Sequence, residues 1–161
     1  MLNKIVAMSC MQALQYVVYN RSRVNKFAII SIQEIENGGN GFVFTESGCC
    51  KKVLTLYFSD ANPEVFEECG NEDYLKQMIK DGTCHLFGDK EANSIKDFVE
   101  EIKNDSEIST LIVHCGAGVS RSPAIAAAIH NYLFGNNGTF FEEQIPNKFV
   151  YRKLLECLKN N

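Results

Sequence analysis

The sequence has no long apolar run, no surplus of basic residues and no paired-cysteine motif. None of its apolar runs approaches the ~20 residues that a transmembrane helix needs, so we expect no contact with a membrane. The formal net charge is −4, which provides no basic face for nucleic acid or for an acidic lipid surface. Partners of both kinds are therefore not expected.

Cysteine occurs seven times, but no two cysteines have the spacing of a zinc ribbon. The odd count argues for a reducing compartment rather than for a framework of disulfides. The first ten residues contain a short apolar patch without a clear cleavage site, which argues against a secretory signal. We therefore expect a cytoplasmic protein without a metal site.

The size and composition indicate one ordinary globular domain. The chain has 161 residues, of which 45% are hydrophobic and 22% are charged. This length suffices to bury a core without disulfides or metals. We find no internal repeat, low-complexity tract or linker, so the predicted domain spans residues 1–161.

Short apolar runs alternate with amphipathic stretches along the chain. Strands are predicted at residues 4–9, 27–32, 51–58 and 110–114, with a loop at 36–41. Helices are predicted at residues 12–19, 89–102, 124–134 and 146–158, and residues 64–80 are weakly helical. Asn147 is suited to cap the last helix, and Asp89 the helix at 89–102. This alternation predicts an α/β fold, a sheet covered by helices.

A phosphate-sized loop lies between the strand at residues 110–114 and the helix at 124–134. The nine residues from His114 to Ser122 read His-Cys-Gly-Ala-Gly-Val-Ser-Arg-Ser. Five residues separate Cys115 from Arg121, which lets several backbone N–H groups converge on one oxyanion. A thiolate below that point attacks phosphorus in line, and a guanidinium at the rim holds two oxygens.

This loop resembles the signature of the cysteine-dependent protein tyrosine phosphatases. A bare Cys-x5-Arg arises often by chance, but the preceding His114, the glycines and the flanking strand and helix argue against coincidence. The full motif looks like the dual-specificity branch of the superfamily. The resemblance covers the second half of the chain and, more loosely, the first half. It implies the phosphatase fold, a central and mostly parallel sheet flanked by helices.

The resemblance also implies roles for the side chains around the loop. Cys115 corresponds to the nucleophile, and Arg121 to the residue that holds the phosphoryl oxygens. Ser122 corresponds to the hydroxyl that donates to the departing thiolate, although a serine here also suits a plain helix cap. His114 corresponds to a residue that orients the loop by hydrogen bonding. Taken alone, it is more typical of a satisfied core histidine.

The loop interior has no polar side chain before Ser120, so its main-chain N–H groups must bind the phosphate. The predicted binding residues, together with Arg121, are Gly116, Ala117, Gly118, Val119 and Ser120. Glycine at positions 116 and 118 fits a close approach of the backbone to an anion and a positive φ. Ser120 is expected to bond within the loop and hold its shape.

The chemistry also needs an acid to protonate the leaving oxygen. We favour Asp60, because it follows a predicted strand and parallel sheets carry functional loops at such ends. The segment Leu-Tyr-Phe-Ser-Asp ending at Asp60 also resembles the family's pattern for the acid. However, Asp60 lies 55 positions before Cys115, longer than is usual in compact members, which implies an insertion at residues 64–87. Asp81, 34 positions before Cys115 in an Asp-Gly turn, is the alternative.

The resemblance implies a protein phosphatase that hydrolyses phosphotyrosine through a phosphocysteine intermediate. Phosphoserine and phosphothreonine are further candidate substrates. The expected partner is a phosphorylated protein. No cofactor is implied, because thiolate and guanidinium already supply the nucleophile and the charge stabilisation. Two alternatives stay open: a phosphate-binding module without catalysis, and a phosphoinositide or RNA 5′-phosphate phosphatase. The absence of lysine from Gly116 to Ser120 argues against the second.

Overall fold

The computed structural model describes residues 1–20, 26–33 and 42–160. The loop predicted at residues 36–41 lies outside the described residues. Within them, a sheet of four strands is covered by helices, as the sequence predicts. The strands are β1 (Lys4–Ser9), β2 (Lys26–Gln33), β3 (Cys50–Tyr57) and β4 (Ile108–Cys115).

All pairings between these strands are parallel, and their order in the sheet is β1-β4-β2-β3. β4 therefore has a neighbour on each side, and nearly all of its residues are buried. This position explains its continuous apolar sequence. Because all the strands run the same way, their carboxyl ends meet at one edge of the sheet.

Alternate residues of the strands pack into two separate cores. In β2, Ala28 and Ile30 belong to the larger core, whereas Phe27 and Ile29 face the smaller one. This follows from the two-residue period of a strand, which directs successive side chains to opposite faces. Cys115 belongs to the larger core, together with the helices that follow it in sequence.

Seven helices connect and cover the described strands. They are α1 (Cys10–Tyr19), α2 (Pro63–Glu68), α3 (Glu72–Lys80), α4 (Asp89–Lys103), α5 (Arg121–Phe134), α6 (Phe140–Glu143) and α7 (Lys148–Lys159). In the described part of the chain, no helix is long and apolar enough to cross a membrane. The same residues contain no group of three metal-ligating side chains that could hold an ion.

The weakly helical stretch at residues 64–80 forms two helices instead of one. Gly70, between α2 and α3, has a φ of 68°, a conformation that ends a helix and that glycine adopts readily. Leu75 and Cys84 pack against Ala61 in a small apolar cluster of their own. Residues 64–87 thus form a mostly helical segment between the end of β3 and the start of α4.

Alanines in α5 allow this helix to lie close to the sheet. The stretch from Ala124 to Ala128 is fully buried, and α5 packs against both β1 and β4. Pro123 lies in the first turn, where the missing N–H breaks no intrahelical bond. The close packing fixes the start of α5 directly after the loop that leaves β4.

Candidate active site

The thiol of Cys115 lies at the end of β4, at the base of the loop. The residue is 3% exposed. Its Sγ accepts a hydrogen bond from the Gly118 N–H at 3.2 Å and lies 3.2 Å from Ser122 Oγ. One N–H from the middle of the loop and one hydroxyl from the first turn of α5 therefore lie within hydrogen-bond distance of the same sulfur.

The loop docks on the end of β1. Gly118 has a φ of 75°, and a Cβ at this position would lie 2.4 Å from Ser9 N and 2.5 Å from the carbonyl carbon of Met8. The Cys10 N–H donates to the Gly116 carbonyl at 3.2 Å, which attaches the other side of the loop to the start of α1. Glycine is required at position 118 by both conformation and space.

Gly116 differs from the prediction. Its φ lies outside the positive region, and a Cβ there would meet no atom within 4 Å. The side-chain direction at position 116 is open space, so neither strain nor packing demands glycine. That Gly116, Ala117, Val119 and Ser120 bind phosphate through their N–H groups stays a prediction.

Arg121 is the first residue of α5, and its long side chain is 5% exposed. Nη1 donates to the Phe58 carbonyl at 2.9 Å. Phe58 directly follows β3 and precedes Asp60 by two positions. The guanidinium thereby joins the start of α5 to the segment that carries the predicted acid.

Ser122 is not the helix cap. The N-cap position of α5 is Ser120, and Ser122 is the second residue of the helix. Its buried hydroxyl lies 3.2 Å from Cys115 Sγ and 3.5 Å from the Met8 carbonyl, and its one proton can be donated to either of them. Of the two sequence-based interpretations, the cap is wrong, and the position of the hydroxyl suits donation to the sulfur.

The structure brings Asp60 to the loop. Its Oδ1 accepts one hydrogen bond from Ser120 Oγ at 2.8 Å and another from Asn147 Nδ2 at 3.0 Å. The Ser120 hydroxyl thus bonds to the candidate acid rather than within the loop, contrary to our expectation. The carboxyl group itself is exposed, as a group that must meet a leaving oxygen has to be.

The other aspartates make contacts of a structural kind. Asp81 follows the last residue of α3 and accepts a hydrogen bond from Gln77 Nε2 at 2.7 Å, within the same turn. Asp89 is the first residue of α4 and pairs with Lys153 at 3.0 Å. Its predicted role as a cap is wrong, because Gly88 occupies that position and the Glu91 side chain accepts from the Gly88 N–H at 2.9 Å.

Asn147 has a larger role at this site than its sequence indicates. Its Oδ1 accepts from the Val150 N–H at 3.2 Å, so the predicted cap of α7 is confirmed. Its Nδ2 donates to Asp60 and to the Ala61 carbonyl, and its N–H donates to the Ser120 carbonyl at 3.1 Å. One buried side chain therefore connects α7, the acid segment and the loop.

The segment before α7 lies along the loop as a strap, which we define as residues 144–147. The Gln144 side chain donates to the Gly118 carbonyl at 3.4 Å, and the Ile145 N–H donates to the Val119 carbonyl at 3.2 Å. Together with Asn147, these bonds hold the outer side of the loop. No motif in the sequence marks this strap, because its bonds use main-chain atoms of the loop.

His114 is a buried core histidine. Its Nε2 lies 2.7 Å from Ser31 Oγ, which in turn accepts from Gln33 Nε2 at 2.8 Å. The ring also packs on Phe44, with centroids 4.8 Å apart. Burial lowers the pKa of His114 to about 4, although the backbone of Cys115 opposes this shift. The neutral imidazole fixes the end of β4 directly before Cys115.

A second thiol lies near the first. Ser9 is the register partner of Cys115, so Cys10 follows directly at the end of the neighbouring strand. The pKa of Cys10 is raised by burial and, to a smaller extent, by the charge of Cys115. At neutral pH, Cys10 is therefore a protonated thiol beside the candidate nucleophile.

Comparisons with known proteins support the fold at low sequence identity. No protein-family model and no curated protein matches the sequence. Among solved structures, the human tyrosine phosphatase-like serine/threonine/tyrosine-interacting protein is similar, with a TM-score of 0.50 and 18% identity over 90% of this chain and 82% of that chain. The archaeal Tk-PTP in its active form is also similar, with a TM-score of 0.52 and 14% identity over 98% of this chain and 91% of that chain.

These similarities cover 90% and 98% of this chain, which includes most of its sheet and helices. They confirm the fold that the loop motif predicts, and at these identities they extend to the fold alone. The chain has the α/β fold of the dual-specificity, tyrosine phosphatase-like proteins.

Proposed function

We propose that this protein is a cysteine-dependent phosphatase that hydrolyses phosphotyrosine in proteins, with phosphoserine and phosphothreonine as further candidate substrates. The observation that carries the proposal is the convergence on Cys115 Sγ. The Gly118 N–H and the Ser122 hydroxyl both lie 3.2 Å from the sulfur. A thiolate has no proton and accepts from both groups, which stabilises it, whereas a buried structural cysteine has no need of two such neighbours.

In the first proposed step, the Cys115 thiolate attacks phosphorus and the bond to the leaving oxygen breaks. Asp60 gives its proton to that oxygen, so the product is a neutral alcohol or phenol and a phosphocysteine. Arg121 and the loop N–H groups hold the other phosphoryl oxygens. The hydrogen bond from Arg121 to the Phe58 carbonyl keeps the guanidinium between the loop and the segment that carries Asp60.

In the second proposed step, water attacks the phosphocysteine and the sulfur leaves as a thiolate. The Asp60 carboxylate, which lost its proton in the first step, now accepts one from the water. The Ser122 hydroxyl donates to the departing thiolate, which its 3.2 Å separation from Sγ already permits. The enzyme returns to its initial protonation state, and inorganic phosphate is released.

A protein substrate agrees with the composition of the loop. Highly charged head groups favour lysines in the loop, and residues 116–120 contain none. Attraction of phosphate must therefore come from Arg121 and from the main-chain dipoles, which suffice for a single phosphoryl group. This is the basis for preferring phosphoproteins over phosphoinositides or RNA 5′ ends.

A phosphate-binding module without catalysis is the second candidate. One similar structure is that of a tyrosine phosphatase-like, serine/threonine/tyrosine-interacting protein, and this similarity is the reason for considering a binding module. Against it, this chain contains the thiol, the arginine, the hydroxyl and a carboxyl group around one loop. The two candidates differ in a single property, turnover.

Hydrolysis of a phosphotyrosine peptide and of an aryl phosphate tests the proposal. We expect Cys115→Ser to abolish both activities while the variant still binds an oxyanion such as phosphate. Cys84→Ser is the matched control, because Cys84 is also a buried thiol but lies in a separate cluster. If Cys115→Ser is as active as the wild type, the proposal is wrong. If the wild type binds the phosphopeptide but does not hydrolyse it, the second candidate is established.

A further inference from the structure

A groove of about 440 Å³ opens directly beside the candidate active site. We call it the flank groove. It lies between α2 on one side and the strap and the start of α7 on the other. Asp60, Ser120 and Asn147 form part of its wall and belong to the site as well. The remaining residues that line it are Asn62, Val65, Phe66, Ile145, Pro146 and Lys148.

Two aliphatic side chains of the flank groove are exposed beside the Asp60 carboxyl group. Ile145 is 78% exposed and Val65 is 51% exposed. Leaving such side chains in water has a free-energy cost that burial by a partner recovers. The Ile145 N–H bond to the Val119 carbonyl fixes the backbone at this position, so only the side chain has to be ordered on binding.

One unpaired positive charge lies at the end of the flank groove. Lys148 is the exposed first residue of α7 and has no ion-pair partner in the described part of the chain. The nearby Glu64 and Arg152 neutralise each other in an ion pair. An apolar group of an occupant thus complements Val65 and Ile145, and a carboxylate complements the charge of Lys148.

We propose that the flank groove binds the residues next to the phosphorylated residue of a protein substrate, an apolar side chain followed by an acidic one. This inference rests on the proposed phosphatase function. Asp60 must reach the leaving oxygen at the tip of the phosphorylated side chain, so the substrate main chain lies outside Asp60 and Ser120, beside the flank groove. An extended chain advances ~3.3 Å per residue, so we expect the adjacent side chain to contact Val65 and Ile145 and the next one to contact Lys148.

Phosphotyrosine peptides of three kinds test the inference. The first has leucine on both sides of phosphotyrosine and aspartate beyond each leucine, the second has serine for leucine, and the third has asparagine for aspartate. An aryl phosphate, which has no flanking residues, is the reference substrate. For each protein variant, the quantity compared is kcat/KM for the peptide divided by kcat/KM for the aryl phosphate.

We expect the wild type to prefer the leucine peptide over the serine peptide by about tenfold, the usual effect of filling an apolar site. Val65→Asp and Ile145→Asp remove this preference. Val18→Asp is the matched control, because Val18 is also a helical valine and is 52% exposed, but lies on α1. An unchanged preference in both flank-groove variants overturns the inference.

Lys148→Ala tests the charge separately. We expect it to reduce the preference for aspartate over asparagine by a few-fold, and high salt to reduce the same preference in the wild type. Lys159→Ala is the control, an exposed lysine at the other end of α7. Equal effects of the two lysine variants contradict the assignment of Lys148.

Failure of this inference is distinguishable from failure of the proposed function. Aryl phosphate turnover without any preference among the peptides overturns the flank groove alone. If the wild type hydrolyses neither the peptides nor the aryl phosphate, the proposed function fails. The affinities of Cys115→Ser for the three labelled peptides then test the flank groove, with the same order of preference expected. If gel filtration shows a dimer that Val65→Asp dissociates, a second copy occupies the flank groove and the inference is wrong.

Discussion

The side chain of Asn147 donates a hydrogen bond to Asp60 Oδ1 at 3.0 Å, although the two residues are 87 positions apart. The same amide also bonds to the Ala61 carbonyl. Asp60 lies on a loop after β3, where a carboxyl group has considerable freedom without such contacts. Asn147 and Ser120 restrict it to the side of the loop that faces the flank groove.

We predict that Asn147→Ser weakens proton donation by Asp60 and spares the helix. Serine retains an oxygen that caps α7 but is too short to reach Asp60. We expect turnover of aryl phosphates with poor leaving groups to fall about tenfold and that of activated ones to change little, because only the former need the acid. A plot of log kcat against leaving-group pKa, steeper than in the wild type, measures the effect.

Asn147→Ala separates stability from catalysis. It loses the cap as well, so we expect about 1 kcal/mol less stability than in Asn147→Ser, as measured by urea unfolding. The two variants should have the same leaving-group dependence. If instead the loss of activity follows the loss of stability, Asn147 acts only on the helix.

The assignment of the acid predicts that Asp60→Asn lowers turnover of poor leaving groups about a hundredfold. A general acid acts in its protonated form, so the fall in kcat toward alkaline pH should also disappear. Asp81→Asn is the control, since Asp81 is an exposed carboxyl group that accepts from Gln77 in its own helix turn. If Asp81→Asn has the larger effect, the assignment to Asp60 is wrong.

Two glycines of the loop should respond differently to the same substitution. Gly118→Ala introduces a Cβ 2.4 Å from Ser9 N at a φ of 75°, and we expect a loss of about 3 kcal/mol or more in the free energy of unfolding. Gly116→Ala meets no atom within 4 Å and should cost about 1 kcal/mol or less. Urea titration of both variants measures the difference, and equal losses would refute the docking of the loop on β1.

Burial of His114 predicts a pH-dependent stability. Its pKa is lowered from 6.5 to about 4, so the unfolded chain binds a proton that the folded chain does not. The free energy of unfolding should therefore fall as the pH drops from about 6.5 to about 4, by up to about 3 kcal/mol, with no further loss from this group below that range.

The difference between the wild type and His114→Gln isolates this contribution. Carboxylates also destabilise the fold in acid, such as Glu107, whose pKa two lysines hold at about 2. Their contribution is common to both proteins and cancels in the difference. Parallel pH curves for the two proteins would mean that His114 is not held neutral.

The site was predictable where the signal is local in sequence. The apolar run of β4, the loop after it and Pro123 in the first turn of α5 lie within a few residues of one another. Asp60 followed from a general property of parallel sheets, because their functional loops lie at the carboxyl ends of the strands. The cap at Asn147 was also local, since it bonds to Val150 three positions away.

The contacts that join distant segments were not predictable. Asn147 meets Asp60, Ser120 meets the same carboxylate, and Arg121 meets the Phe58 carbonyl only through the tertiary fold. Each of these bonds spans at least 60 positions, and no periodicity reports it. The four-residue helix α6 was missed as well, because it is too short to show a helical repeat.

The central claim is that Cys115 becomes phosphorylated during turnover. Ser122→Ala should slow the second step, so that the phosphoenzyme accumulates during reaction with an aryl phosphate. Rapid acid quench followed by mass spectrometry of the peptide containing Cys115 should detect one added phosphoryl group, with a matching burst of released phenol. Steady turnover with no burst and no phosphoryl group on Cys115 would contradict the mechanism.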